Sequence, residues 1–265
     1  MSIDTLKYSL VAAQACLDGG AAILDVYNNE ETQVEIKGDD SPLTQADLKS
    51  NAAIMEHLSQ TPFWVLSEEG KHMSYADRKD IHTLWIVDPL DGTKEFIKRN
   101  GEFTVNVALV KDGKPVLGAV YVPVTGELYL GVVGEKALKL TIEAGGSITE
   151  EDLASGLVLP MQMERPFTAV GSRSHMNEET SDFLESYKKE HGEVAIISKG
   201  SSLKMCMVAE GLADVYPRFA PTMEWDTAAG QAVVEAAGFQ MVCKDDRTPL
   251  CYNKEDLLNP HFIVL

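Results

Sequence analysis

Apolar positions recur along this chain at two different periods. Near the N-terminus Leu6, Leu10, Ala13, Leu17, Ala21 and Leu24 are spaced by three and four, which predicts an amphipathic helix capped by Ser2 or Asp4. A second helix is expected from Thr44 to Leu58, with Leu48, Ala52 and Met55 on its apolar face. Thr44 and Asp47 are spaced as a cap and its N3 partner. The period then shortens. Phe63-Trp64-Val65-Leu66 and Leu84-Trp85-Ile86-Val87 read as short buried strands, and each runs into acids. Residues 104–110 alternate, with Val105, Val107 and Leu109 on one face, and Lys111-Asp112-Gly113-Lys114 is a hairpin signal. Strands over 116–122 and 128–133 continue the meander, turning at Thr125-Gly126.

Regularity is lost over 141–165, so two lobes are expected, 1–160 and 161–265. The first would be an α+β lobe carrying most metal ligands, and the second an α/β lobe completing the metal and substrate sites. In the second, strands at 167–170, 194–197 and 214–216 alternate with helices at 178–190, 203–210 and 226–237. A length of 265 residues suits two lobes around a shared cleft.

Charge narrows the function. With 23 Lys and Arg against 41 Asp and Glu, the formal net charge is -18. Such a surface repels nucleic acid and anionic lipid, so neither is expected as a partner. A phosphate substrate would need a local reversal of field, which bound divalent cations supply. Cys16, Cys206, Cys243 and Cys251 form no CxxC pair and complete no zinc pattern. Four reduced thiols, mostly buried, in a cytoplasmic protein are expected. The first residues lack the basic and apolar regions of a signal peptide, and no uninterrupted apolar run predicts a membrane span.

The chemistry gathers at strand ends. Glu68-Glu69 follows one strand and Asp88-Pro89-Leu90-Asp91-Gly92-Thr93 the next. Clustered carboxylates repel one another unless a cation sits among them, and hard oxygen ligands suit Mg²⁺ rather than zinc. Pro89 stiffens the strand exit, so Asp88 and Asp91 can face one point with the Leu90 carbonyl between them. Gly92 and Thr93 lead into a helix start at Lys94, where free N–H groups can hold phosphate. A third acid, Asp226, stands at a helix start after Trp225. Each feature has a plainer reading by itself: a Pro-Gly turn, a solvated charge pair, an Asp N-cap. Basic residues concentrate nearby, at Lys94, Lys98, Arg99, Arg173, Lys199, Lys204 and Arg218, as a rim able to grip a second phosphate.

Glu68-Glu69, the run Trp85–Thr93 and the run Trp225–Gly230 resemble, in order and spacing, the three signatures of the inositol monophosphatase superfamily. The resemblance covers nearly the whole chain. Within the superfamily the stretch Lys94–Thr104, together with Gly171–His175, Gly200–Lys204 and Tyr216–Phe219, is similar to the bacterial 3'(2'),5'-bisphosphate nucleotidase branch. The resemblance implies an α+β fold, a layered α-β-α-β-α sandwich of the sugar-phosphatase type with the active site between two lobes. It implies two or three Mg²⁺ ions held by Glu68, Asp88, Asp91, Asp226 and the Leu90 carbonyl. It implies that Thr93, with Asp47 behind it, orients and deprotonates the attacking water, and that the Gly92 and Thr93 backbone holds phosphate. Ser172, His175, Gly200 and Lys204 match nucleotide-contacting positions. The substrate implied is adenosine 3',5'-bisphosphate, with 3'-phosphoadenylyl sulfate second and lithium or calcium as inhibitors; no stable partner protein is evident. An inositol monophosphatase or sugar-bisphosphatase would use the same metal site, and a structural cation-binding protein would need the acids but no proton acceptor. Peripheral association with the cytoplasmic face of the inner membrane is left open.

Overall fold

The structure is a computed structural model that describes residues 3–29, 34–36, 42–71, 73–171 and 178–265. Helix α1 (Thr5–Asn29) opens the chain. Strands β1 (Val34–Ile36) and β2 (Pro42–Thr44) pair antiparallel and lead into α2 (Gln45–Leu58). The main sheet has seven strands in sequence order: β3 (Trp64–Ser67), β4 (Thr83–Asp91), β5 (Thr104–Lys111), β6 (Lys114–Val122), β7 (Glu127–Val132), β8 (Lys136–Thr141) and β9 (Leu157–Leu159). Short helices α3 (Tyr75–Arg78), α4 (Thr93–Ile97) and α5 (Glu150–Ser155) lie in its connections.

Beyond it come β10 (Thr168–Gly171), α6 (Glu178–His191), β11 (Ala195–Ser198), α7 (Leu203–Glu210), β12 (Tyr216–Arg218), α8 (Glu224–Ala236), β13 (Met241–Cys243) and β14 (Phe262–Val264). A parallel bridge from Ala169 to Val215 joins the β10–β11 pair to the β12–β14–β13 sheet.

Two cores explain the layering. Trp85, Val87, Val105, Val107 and Leu109 face α1 and α2, while Leu84, Ile86, Ala108, Val110 and Val120 face α7 and α8. Alternation along β4 and β5 therefore feeds both sides of one sheet, and both faces are buried. A smaller core of Ala169, Leu184, Val215, Phe219 and Ile263 seats α6 on the second sheet. The result is the expected α-β-α-β-α sandwich. Gly118 on β6 lets α8 lie close, since a Cβ there would stand 2.5 Å from the Ala229 carbonyl oxygen.

Several expectations shift. On α1 the buried residues include Ala12, Ala13, Ala15, Cys16, Gly19 and Gly20 beside Tyr8, Leu17, Ile23 and Val26, and Leu6 is 46% exposed. The helix is covered on two sides, by α2 and by the sheet, so its buried arc turns toward the small residues. By length and composition α1 could cross a membrane, but it is a core helix here. On α2, Leu48 and Ala52 are exposed, and Ala46, Asp47, Ser50, Ile54 and Leu58 face inward. Strand β4 runs on through Asp88 and Pro89 to Asp91, with its register shifting between the two acids. Cys16 and Cys206 are buried, Cys243 is half-buried and Cys251 is exposed; all four are free.

Candidate active site

Three elements deliver the acids to one cleft. Strand β4 carries Asp88, 1% exposed, and Asp91 at its end. The first turn of α8 carries Asp226. Carboxylate oxygens of Asp88, Asp91 and Asp226 all lie within 4.8 Å of one another. Glu68 stands just past β3, its N–H donating to the Val87 carbonyl at 3.1 Å. It is not part of that tight trio, but its charge acts on both Asp88 and Asp226.

Electrostatics show what is missing from an all-protein site. Burial, then Glu68, Asp91 and Asp226 in turn, push the Asp88 carboxyl well above its ordinary range. Desolvation and the Asp91 charge push Asp226 up to about 8, despite the N–H of Met223 donating to it at 2.8 Å. Three converging carboxylates in low dielectric are unstable as anions without a counter-charge. The donor set, all hard oxygen, fits a divalent cation of the Mg²⁺ type.

The protein already occupies one oxygen of Asp91. Its Oδ2 accepts the Ser202 N–H at 2.6 Å and the Ser202 hydroxyl at 2.7 Å, with Asn106 and Thr104 each at 3.4 Å. Ser202 and Asn106 were not singled out in the sequence. Only pairing across β4–β5 and the fold-back of the loop before α7 put them there.

Beside the trio, Thr93 Oγ1 donates to Asp47 Oδ1 at 3.3 Å. Asp47 is 2% exposed. Its other oxygen closes the capping box of α2, taking the Thr44 N–H at 2.8 Å and hydroxyl at 2.6 Å. The residue therefore has one oxygen fixed by the helix and the other turned to Thr93. Gly92 between the strand and α4 has φ 96°, a left-handed conformation, and a Cβ on it would lie 2.0 Å from Ser201 Oγ.

The adjoining cleft, about 140 Å³, is lined in part by Asp91, Gly92, Lys94, Gly200, Lys204 and Arg218. Lys204 is 6% exposed and donates to the Ser201 carbonyl at 2.7 Å. Burial pulls its ammonium down to about 8. Gly200 lies at the wall, its N–H taken by Glu102 Oε2 at 2.9 Å. Ser172, His175 and Arg173 lie outside the described residues. Of the basic rim, Lys94, Lys199, Lys204 and Arg218 line the cleft. Lys98 does not, and the Arg99 guanidinium is stacked over the Tyr27 ring at 4.3 Å. Arg218 Nε is buried and meets no acceptor among the described residues.

An acidic trio with Asp88 buried and Asp91 and Asp226 half-buried, a hydroxyl–carboxylate pair and a cationic wall define the site of a layered α+β phosphatase. The chain belongs to the inositol monophosphatase family, whose family model matches residues 5–262. It is 42% identical to a 3'(2'),5'-bisphosphate nucleotidase CysQ of Salmonella typhimurium, over 95% of this chain and 96% of that one. To the protein of the same description from Escherichia coli strain K12 it is 44% identical, with the same coverage. A crystal structure of CysQ from Bacteroides thetaiotaomicron superposes with a TM-score of 0.92 at 52% identity, covering 99% of this chain and 98% of that one.

Proposed function

We propose that this chain is a Mg²⁺-dependent phosphomonoesterase that removes the 3'-phosphate of adenosine 3',5'-bisphosphate, giving AMP and phosphate, with 3'-phosphoadenylyl sulfate as a second substrate. The observation that carries the reading is the Thr93–Asp47 pair set beside the acidic trio. A cation-storage site needs the carboxylates but no proton acceptor. The bisphosphate nucleotidases at 42–44% identity support the substrate class.

Glu68, Asp88, Asp91, Asp226 and the Leu90 carbonyl would hold two or three Mg²⁺ ions. Bound there, Mg²⁺ supplies Lewis acidity that acidifies water and neutralises charge developing on the phosphoryl oxygens. The protein does the rest. Thr93 Oγ1 takes a proton from the attacking water as its own hydroxyl proton moves to Asp47 Oδ1, whose direction the capping box fixes, and the 3'-oxygen, released as its bond to phosphorus breaks, takes a proton from solvent. The Gly92 and Thr93 backbone faces the phosphate to be cut. Attack is in line, with no covalent phosphoenzyme. Lys204 and Arg218, with Gly200 at the wall, receive the second phosphate; Arg218 brings a buried N–H that has no acceptor among the described residues. Ser172 and His175 would complete the nucleotide contacts.

Phosphate release from adenosine 3',5'-bisphosphate and from inositol 1-phosphate, each with Mg²⁺ and with EDTA, tests this. Faster, Mg²⁺-dependent turnover of the bisphosphate is expected. Faster turnover of inositol 1-phosphate would reassign the substrate, and release in EDTA would remove the metal from the reaction.

A further inference from the structure

One acid in the cleft has no role in holding the cation or the phosphate as read above. Glu102, in the turn between α4 and β5, has a side chain only 15% exposed and lines the same cavity as Lys204 and Arg218. A carboxylate facing a dianionic substrate opposes binding unless its charge is spent elsewhere. Here it is spent on the loop before α7. Oε2 accepts the Gly200 N–H at 2.9 Å, and Oε1 lies 3.4 Å from Lys199 Nζ. The Glu102 carbonyl is 2.8 Å from the Ser201 hydroxyl, which is also 2.8 Å from the Asp91 carbonyl. Ser201 is held at φ 48°, a left-handed conformation that a non-glycine residue adopts at a cost. The next residue, Ser202, gives both its N–H and its hydroxyl to Asp91 Oδ2 and lies 2.9 Å from the Asp226 carbonyl.

We propose that Glu102 is a positioning residue: it grips residues 199–201 so that Ser202 holds Asp91 and Asp226 at the separation a divalent cation requires. The inference rests on the cation-dependent reading above. The chain of contacts is continuous. Glu102 fixes Gly200, the strained Ser201 bridges two carbonyls, and Ser202 closes on the Asp91 carboxylate and the Asp226 main-chain carbonyl. Asp91 Oδ2 is thereby saturated, and Oδ1 is the oxygen left for the cation. Groups that orient ligands in this way are commonly worth about 10–100-fold in metal affinity.

The test is calorimetric titration of Mg²⁺ into the folded protein, with kcat and KM measured beside it. Glu102→Ala should weaken Mg²⁺ affinity about tenfold, the lower end of that range. Glu102→Gln, whose amide oxygen still accepts the Gly200 N–H, should recover most of the loss. Ser201→Gly, which relaxes the left-handed backbone and so keeps the fold, should weaken binding several-fold by cutting the bridge between the two carbonyls. It carries the test if Glu102→Ala does not fold. Unchanged Mg²⁺ affinity in Glu102→Ala or Ser201→Gly would overturn the inference, as would Glu102→Gln as damaged as Glu102→Ala. A wild-type protein that takes up no Mg²⁺ would sink the cation-dependent reading itself, a different result from intact binding in the variants.

Discussion

At Asp47 two jobs meet in one carboxylate: Oδ2 ends a helix and Oδ1 faces Thr93. Asp47→Asn keeps the size and one acceptor but not the basicity. It should leave the fold intact and lower kcat by about 10²-fold or more, the range for general-base catalysis; unchanged phosphate release would take Asp47 out of the reaction. Lys204 works at the other end of the cleft. Because burial brings its ammonium down to about 8, it is charged below that pH and neutral above it. KM for the bisphosphate should therefore rise as pH passes 8, and Lys204→Ala should raise KM more than it lowers kcat. A pH-independent KM would contradict an ionic role for this side chain. Gly92 is constrained by both its φ of 96° and Ser201 Oγ, so Gly92→Ala should cost about 1–3 kcal/mol, read by chemical denaturation.

Among the elements, the start of α2 shows how packing and chemistry share a sequence signal. The Thr44–Asp47 spacing is legible as a capping box without any structure, and the box is present. The helix face was not legible, because hydrophobicity pointed to Leu48 and Ala52. The inward face instead carries Asp47 and Ser50, the latter donating to the Pro89 carbonyl at 2.7 Å. A helix that serves a site buries polar groups where a core helix would bury leucine. Thr44→Ala removes the cap and should cost about 1 kcal/mol of stability. It should also lower kcat, since Asp47 Oδ2 loses its hydroxyl partner. Loss of stability with unchanged kcat would show that the cap does not orient the acid.

Strands β8, β9, β13 and β14 escaped the sequence reading for a different reason. The last three have three residues each, and on β9 Leu157 and Val158 are exposed. The pairing of β9, β13 and β14 joins segments distant in sequence, which local periodicity does not record, whereas β8 closes a short hairpin with β7. By contrast β4 and β5 are read easily, since buried runs of Val, Ile and Leu need no partner to be recognised.

At the level of the whole molecule, the three signatures were readable because each is a local string with its own turn chemistry. Their convergence is a property of the fold, with α8 pressed against β6 so that Asp226 meets Asp88 and Asp91. The Ser202 and Glu102 contacts were invisible for the same reason. The convergence has a thermodynamic consequence. Asp226 folds with its pKa raised to about 8, from an ordinary 3.8, and Asp88 is raised too. Across that interval the folded state holds protons that the unfolded state has released. The contribution of these groups is present below about pH 4 and is lost as pH rises through about 8. Without divalent cations, Tm should fall more steeply with pH in the wild type than in Asp226→Asn, as scanning calorimetry would read. Mg²⁺ should raise Tm more at pH 8 than at pH 5. Equal pH slopes in the two proteins would mean that burial and the neighbouring acids do not raise the Asp226 carboxyl.

The most direct measurement is a crystal structure grown with Mn²⁺ in place of Mg²⁺, with anomalous data collected at the manganese edge. A peak within bonding distance of the Asp88, Asp91 and Asp226 carboxylates is expected. A saturated crystal with no peak among them would contradict the shared cation site on which the phosphatase reading stands.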